Sequence, residues 1–181
     1  MLNEFRKFVG FKILEYFLLN PTKKTYLKEL AKELKISPGS VINYCSTFVK
    51  DELIIKEKKG NLHLFSANND NFRIKEMKRA FFINLLGELD LEKIADEYTS
   101  IAIYGSHATG KYYERSDIDL LIIGNKEKIN RDLVVKIMDK TGKEIQLNVI
   151  PMIKWEKMKK GNDPFVKSII RNHVLIKGAE L

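Results

Sequence analysis

A chain of 181 residues holds one ordinary domain or two small ones, and a make-up of 44% apolar and 31% charged residues excludes a disordered or fibrous protein. The net charge of +8, from 32 basic and 24 acidic side chains, suits a polyanionic partner such as a nucleotide or a nucleic acid. The single cysteine, Cys45, excludes an internal disulfide and a cysteine-rich zinc site, while Glu4, Arg6, Lys7, Lys12 and Glu15 interrupt the apolar N-terminus, so a cytoplasmic protein with no membrane partner is expected.

Phe5, Val9, Ile13, Leu14 and Phe17 recur at three- and four-residue steps, which predicts one amphipathic helix over 4–19, closed by Asn20-Pro21. Thr25 is the expected N-cap of a second helix with Leu27, Leu30, Ala31 and Leu34 on its inner face. Ser37 as cap and Pro38 as first helical residue open a third, whose Val41, Tyr44, Cys45, Phe48 and Val49 repeat at helical spacing. Residues 53–56 and 62–65, on either side of a Lys58-Lys59-Gly60-Asn61 turn, read as a β-hairpin.

This order of helices and hairpin over residues 1–70 resembles the winged helix-turn-helix domains of bacterial and archaeal transcription regulators, by pattern and without a diagnostic motif. The resemblance implies that the third helix enters the major groove of double-stranded DNA, with Ser40, Asn43 and Thr47 toward base edges and Lys58 and Lys59 on the wing. Lys50 is the only basic residue on that helix, and winged helices also act as dimerisation or docking modules, so a homodimer or a protein partner is an alternative role for this segment.

Residues 71–98 read as connecting helices, one over 71–86 and another over 91–98, with no glycine- or proline-rich linker. From 99 to 181 the pattern alternates. Strands at 100–104, 117–123 and 144–150 interleave with a short helix after Gly105 and a helix near 128–140, followed by helices over 152–160 and 164–171 and a final Val174-Leu175-Ile176 run. The expected class is α/β (α+β), a small mixed sheet with flanking helices behind a helical N-terminal domain.

Between the apolar runs Ile101-Ala102-Ile103-Tyr104 and Leu120-Leu121-Ile122-Ile123 lie Gly105-Ser106, ten further residues and then Asp117-Ile118-Asp119. A strand that enters a small-residue turn brings backbone N–H groups close to phosphate oxygens, and two carboxylates two residues apart on a strand share a face. Such a pair repels itself unless a cation intervenes, and Mg²⁺ held by carboxylates and substrate phosphates is the usual solution. Lys111 adds charge beside the turn.

The run Gly105-Ser106-His107-Ala108-Thr109-Gly110 with Ser116-Asp117-Ile118-Asp119-Leu120 resembles the motif of the DNA polymerase β-like nucleotidyltransferases, and most of all their minimal archaeal and bacterial domains. The likeness spans about residues 95–178 and includes Gly161-Asn162-Asp163-Pro164-Phe165. It implies transfer of a nucleoside monophosphate, AMP above all, from a nucleoside triphosphate such as ATP to a hydroxyl. Two Mg²⁺ ions would be held by Asp117 and Asp119, and the triphosphate by Gly105, Ser106 and Lys111. In the toxin-antitoxin members of this family the acceptor is a helical protein partner. A third carboxylate is implied from the next long strand, where Glu144, Gln146 and Asn148 share a face. Glu144 completes the catalytic set; Gln146 in the same slot replaces the base with an amide and leaves a regulator that binds nucleotide without turnover. His107 reads as packing, and Thr109 stands where relatives often have a basic residue.

Overall fold

A computed structural model describes residues 1–181, and the chain divides into two units, Met1–Asn84 and Leu85–Leu181. No helix is long and apolar enough to cross a membrane.

The first unit begins with α1 (Leu2–Phe5) and α2 (Val9–Leu19), so the single helix expected over 4–19 is two. Phe8 is extended (φ −90°, ψ 125°), and Arg6 folds across the break to place Nη2 2.6 Å from Glu15 Oε1. Helices α3 (Leu27–Leu34) and α4 (Pro38–Lys50) come next. Ser37 caps α4 by accepting the Ser40 N–H at 3.2 Å, with Pro38 at the first helical position. Thr25, however, is not the cap of α3. Tyr26 occupies that position and donates its N–H to Glu29 Oε2 (3.3 Å). Buried Thr25 instead exchanges both backbone hydrogen bonds with Phe65 (2.9 Å each), a pairing that suits its β-branched side chain.

The hairpin is β1 (Ile54–Lys59) and β2 (Leu62–Ala67), in antiparallel register with Lys59 opposite Leu62. The turn is therefore Gly60-Asn61, where Gly60 takes φ +61°, and Lys58 and Lys59 belong to the strand rather than the turn. Ile13, Phe17, Leu30, Val41, Cys45, Ile54 and Phe65 fill the core of this unit. Helix α5 (Phe72–Glu88) passes through the division between units.

In the second unit the helix expected over 91–98 reduces to one 3₁₀ turn, Leu91–Lys93, because Ala95 bridges to Ile129 and Tyr98 already belongs to β3 (Tyr98–Tyr104). The remaining elements are α6 (Gly105–Ala108), β4 (Ile118–Gly124), α7 (Arg131–Thr141), β5 (Ile145–Ile150), α8 (Met152–Lys160), α9 (Pro164–Arg171) and β6 (His173–Gly178). The sheet runs β5-β4-β3-β6; β4 and β5 are parallel, joined by the α7 crossover, and β3 is antiparallel to both β4 and β6. The two-residue period of β4 links its core to its open end. Leu121 and Ile123 pack under Trp155 of α8 and Val166 and Ile169 of α9, and two residues earlier the same stripe presents Asp119.

Candidate functional site

Gly105 ends β3 at φ +69°, a left-handed conformation that only glycine adopts at no steric cost. A Cβ there would overlap Asp119 Oδ2 and lie 3.0 Å from its Cγ, so the carboxylate rests directly on the bare backbone of the turn. The register explains the approach, since Tyr104 sits opposite Asp119 and the chain turns at the next residue. Asp117 and Asp119 converge: burial first, and then the charge of Asp117, raise the Asp119 pKa above the ordinary carboxylate value. A carboxylate that is half-buried beside a second one, with no cationic side chain bonded to either, has the chemistry of a divalent-cation ligand.

The ten residues between the two halves of the motif form a folded plug. Thr109 Oγ1 donates to the carbonyls of Gly105 (3.1 Å) and Ser106 (3.3 Å), and Lys111 N–H closes the turn on Ser106 O at 2.9 Å. Thr109 thus secures the back of the turn. His107, fully buried, stacks on Tyr112 with ring centroids 4.5 Å apart and 14° between planes, the packing role its sequence context predicts. Ser106 is half-buried and Lys111 is exposed.

Lys143 supports the site in a way that motif and periodicity do not single out. Its buried ammonium donates to the carbonyls of Glu114 (2.7 Å), Tyr113 (3.2 Å) and Ser116 (3.5 Å), and lies 5.8 Å from the Tyr112 ring centroid. One side chain therefore fastens the turn that delivers Asp117 to the start of β5. Burial lowers its pKa, opposed by the charges of Glu114 and Asp117. No side-chain pattern signals this role, because the acceptors are backbone carbonyls 27 to 30 residues upstream.

On β5, Gln146 is in register with Asp119 and its amide donates to Asp117 Oδ2 at 3.3 Å. Glu144 is exposed one step before the strand, with its carbonyl accepting the Ile118 N–H at 2.8 Å. Asn148 donates to Tyr104 Oη (2.7 Å), and the Tyr104 ring meets Phe165 edge-on at 5.8 Å, so α9 is tied to the strand that leads into the turn. The Tyr104 pKa is raised, chiefly by burial and then by the charge of Asp119.

The residues singled out in the N-terminal unit are on α4 and the hairpin. Asn43, Thr47, Lys58 and Lys59 are exposed; Ser40 is half-buried and its hydroxyl accepts from Ser37 at 2.8 Å, while Thr47 Oγ1 donates to Asn43 O at 3.2 Å.

The sequence profile of the nucleotidyltransferase domain matches residues 84–176. The chain belongs to that family. Its nucleotidyltransferase domain spans β3, the glycine-serine turn, the aspartate pair and β5. A protein of Methanocaldococcus jannaschii bearing the name "Putative protein adenylyltransferase MJ1547" is 33% identical over 85 residues, which cover 45% of this chain and 57% of that protein. The chain thus spans little more than half of that relative's length. Among solved structures, a toxin-antitoxin crystal structure with AMP-PNP shares 15% identity over 54% of this chain and 74% of its own, with a TM-score of 0.38. A Sulfolobus solfataricus protein described as a nucleotidyltransferase shares 19% over 60% and 86%, with a TM-score of 0.30.

This geometry has two measurable outcomes. The folded-state pKa of Asp119 is raised, so its protonated form is favoured by folding: that contribution is fully present below the unfolded carboxylate pKa and is lost as pH rises through the folded value. Asp119→Asn is accordingly expected to raise the melting temperature in EDTA at neutral pH, and the gain is expected to fade as pH falls through the carboxylate range. Lys143→Met is expected to cost about 1–3 kcal/mol by leaving buried carbonyls unpaired, and to speed amide hydrogen exchange over 113–117.

Proposed function

We propose that this nucleotidyltransferase domain transfers AMP from ATP to a hydroxyl on a protein. The observation that supports this reading is the contact between Asp119 and Gly105, which puts an acidic pair against a turn with no side chain, where a triphosphate has room to approach. The name of the archaeal relative supports adenylyl transfer to a protein. Asp117 and Asp119 would hold Mg²⁺, as two ions, whose chemistry is to neutralise charge on the transferring phosphoryl group and the departing pyrophosphate. Ser106 and the backbone of Gly105 would bind the β- and γ-phosphate oxygens, with Lys111 adding positive charge.

Glu144 takes the proton of the attacking hydroxyl. It sits across from Asp117 by extension of the β4–β5 register and is open to an incoming acceptor. Gln146 orients Asp117 through the 3.3 Å bond. A helical partner protein, as in toxin-antitoxin members of the family, is the acceptor this reading favours.

The Gln146 bond also favours a second reading. An amide occupies the position in register with Asp119, so the domain would bind nucleotide as a sensor, without turnover, for a regulator bound to DNA. In both readings residues 1–70 form a winged helix, supported by the order α2, α3, α4 and hairpin. Asn43 and Thr47 would face base edges beside Ser40, and Lys58 and Lys59 would face phosphates.

Incubation with α-labelled ATP, Mg²⁺ and extract of the source cells separates the two readings. Label on protein is expected, absent in Asp117→Ala/Asp119→Ala, and reduced about 10²- to 10⁴-fold by Glu144→Gln with ATP affinity kept. Saturable ATP binding with no transfer establishes the sensor instead. For DNA, titration of duplex at several salt concentrations is expected to show steep salt dependence, and Lys58→Glu/Lys59→Glu is expected to lower the slope by roughly 2.

A further inference from the structure

A groove of about 820 Å³ opens in the N-terminal unit between the start of α3, one flank of α4 and the hairpin. Leu27, Ile42, Val49, Leu62 and Phe65 line it, and Ile42 and Leu62 leave 47% and 58% of their surface exposed. Ile42, Ser46 and Val49 succeed each other at four- and three-residue steps, so they form one stripe of α4. Ser40, Asn43 and Thr47 are absent from the lining, as are Lys58 and Lys59. Bases and phosphates gain little from walls of this kind, and exposed leucine and isoleucine side chains facing a cavity call for an apolar occupant.

The charged residues lining the groove are Lys28, Lys56 and Glu29, so the basic side chains are in excess. Lys28 and Lys56 border it with exposed side chains, and neither ammonium forms an ion pair or hydrogen bond within the protein. The carboxylate on the wall, Glu29, is turned back onto the Tyr26 N–H, and Glu57 of the hairpin pairs with Lys24 at 2.5 Å. Apolar walls with two unpaired ammonium groups at the rim match a ligand with an apolar body and an anionic head, and the volume falls in the range of small-molecule sites, about 300–1,000 Å³.

We propose that this groove binds an amphiphilic anion, an aliphatic or aromatic carboxylate of small-molecule size. Apolar surface leaves water against Leu27, Ile42, Val49, Leu62 and Phe65, while the head group meets Lys28 or Lys56 at the solvent edge, where the ion pair costs little desolvation. The N-terminal unit then has a ligand site of its own, separate from the nucleotide site and independent of whether that site turns over.

The full chain is titrated with 8-anilinonaphthalene-1-sulfonate, monitored by fluorescence, and the bound dye is then competed with decanoate, decanol and decyltrimethylammonium, each below its micellar concentration. The expected result is saturable binding of one dye per chain. Decanoate should displace the dye at a concentration about tenfold lower than decanol, and decyltrimethylammonium should be weaker still. Leu62→Glu, at an exposed position, should weaken dye and decanoate about tenfold at an unchanged melting temperature, and Ile42→Glu is the second variant if the hairpin change lowers stability. Lys28→Glu/Lys56→Glu should abolish the preference of decanoate over decanol. The proposal is overturned by an absence of saturable binding, by equal competition from all three amphiphiles, or by dye binding that neither apolar variant changes. It is also overturned if sedimentation shows a dimer that Leu62→Glu splits and decanoate does not, because a second copy then covers the groove.

Discussion

The contact between the Asp119 carboxylate and the Cα of Gly105 is the constraint on which the C-terminal unit depends. It joins the end of β3 to the start of β4 at a separation that any side chain at 105 would forbid. The acidic pair and the glycine-serine turn are thereby neighbours by construction rather than by flexible convergence. The arrangement stores unfavourable electrostatics in the metal-free protein, because two carboxylates approach each other while one is partly desolvated. The hydrophobic stripe of Leu121 and Ile123 beneath Trp155 is what anchors the strand against that repulsion.

Around this contact the ten-residue interval works as a spacer of defined shape. The His107–Tyr112 stack fills its interior, Thr109 closes the turn behind Gly105, and the Lys143 ammonium gathers three carbonyls just ahead of Asp117. A buried charge of this kind is costly unless fully hydrogen-bonded, and three acceptors meet the three donors of an ammonium. Lys143 comes directly after Gly142, which ends α7 in the left-handed conformation (φ +64°), so the crossover helix, the plug and β5 meet at a single side chain. Sites held by packed elements in this manner keep their geometry before substrate arrives.

The N-terminal unit shows different surfaces on its fourth helix. One stripe is polar and exposed, through Asn43 and Thr47; another is apolar and faces the groove, through Ile42 and Val49. A helix used only for nucleic acid has no need of the second stripe, and a helix buried in a core would have no first. Cys45, between them, is fully buried, and desolvation pushes its thiol up to about 12, so it packs as a small apolar residue.

Local signals were sufficient for the order of the elements, for the Ser37-Pro38 helix start and for the spacing of the glycine-serine turn and the aspartate pair, because caps, periodicity and motif spacing act over a few residues. They failed where a distant strand competed for the backbone: Thr25 looked like a cap and pairs with Phe65, and 91–98 looked helical but enters β3. They could not rank Glu144 against Gln146, since the two share one face by the two-residue period and only the parallel register with β4 puts the chain's single glutamine, on β5, opposite Asp119 and leaves Glu144 one step before the strand. Lys143 and the groove beside α4 were likewise decided by tertiary structure alone, because carbonyl acceptors and cavity walls are assembled from segments tens of residues apart and leave no pattern in the chain.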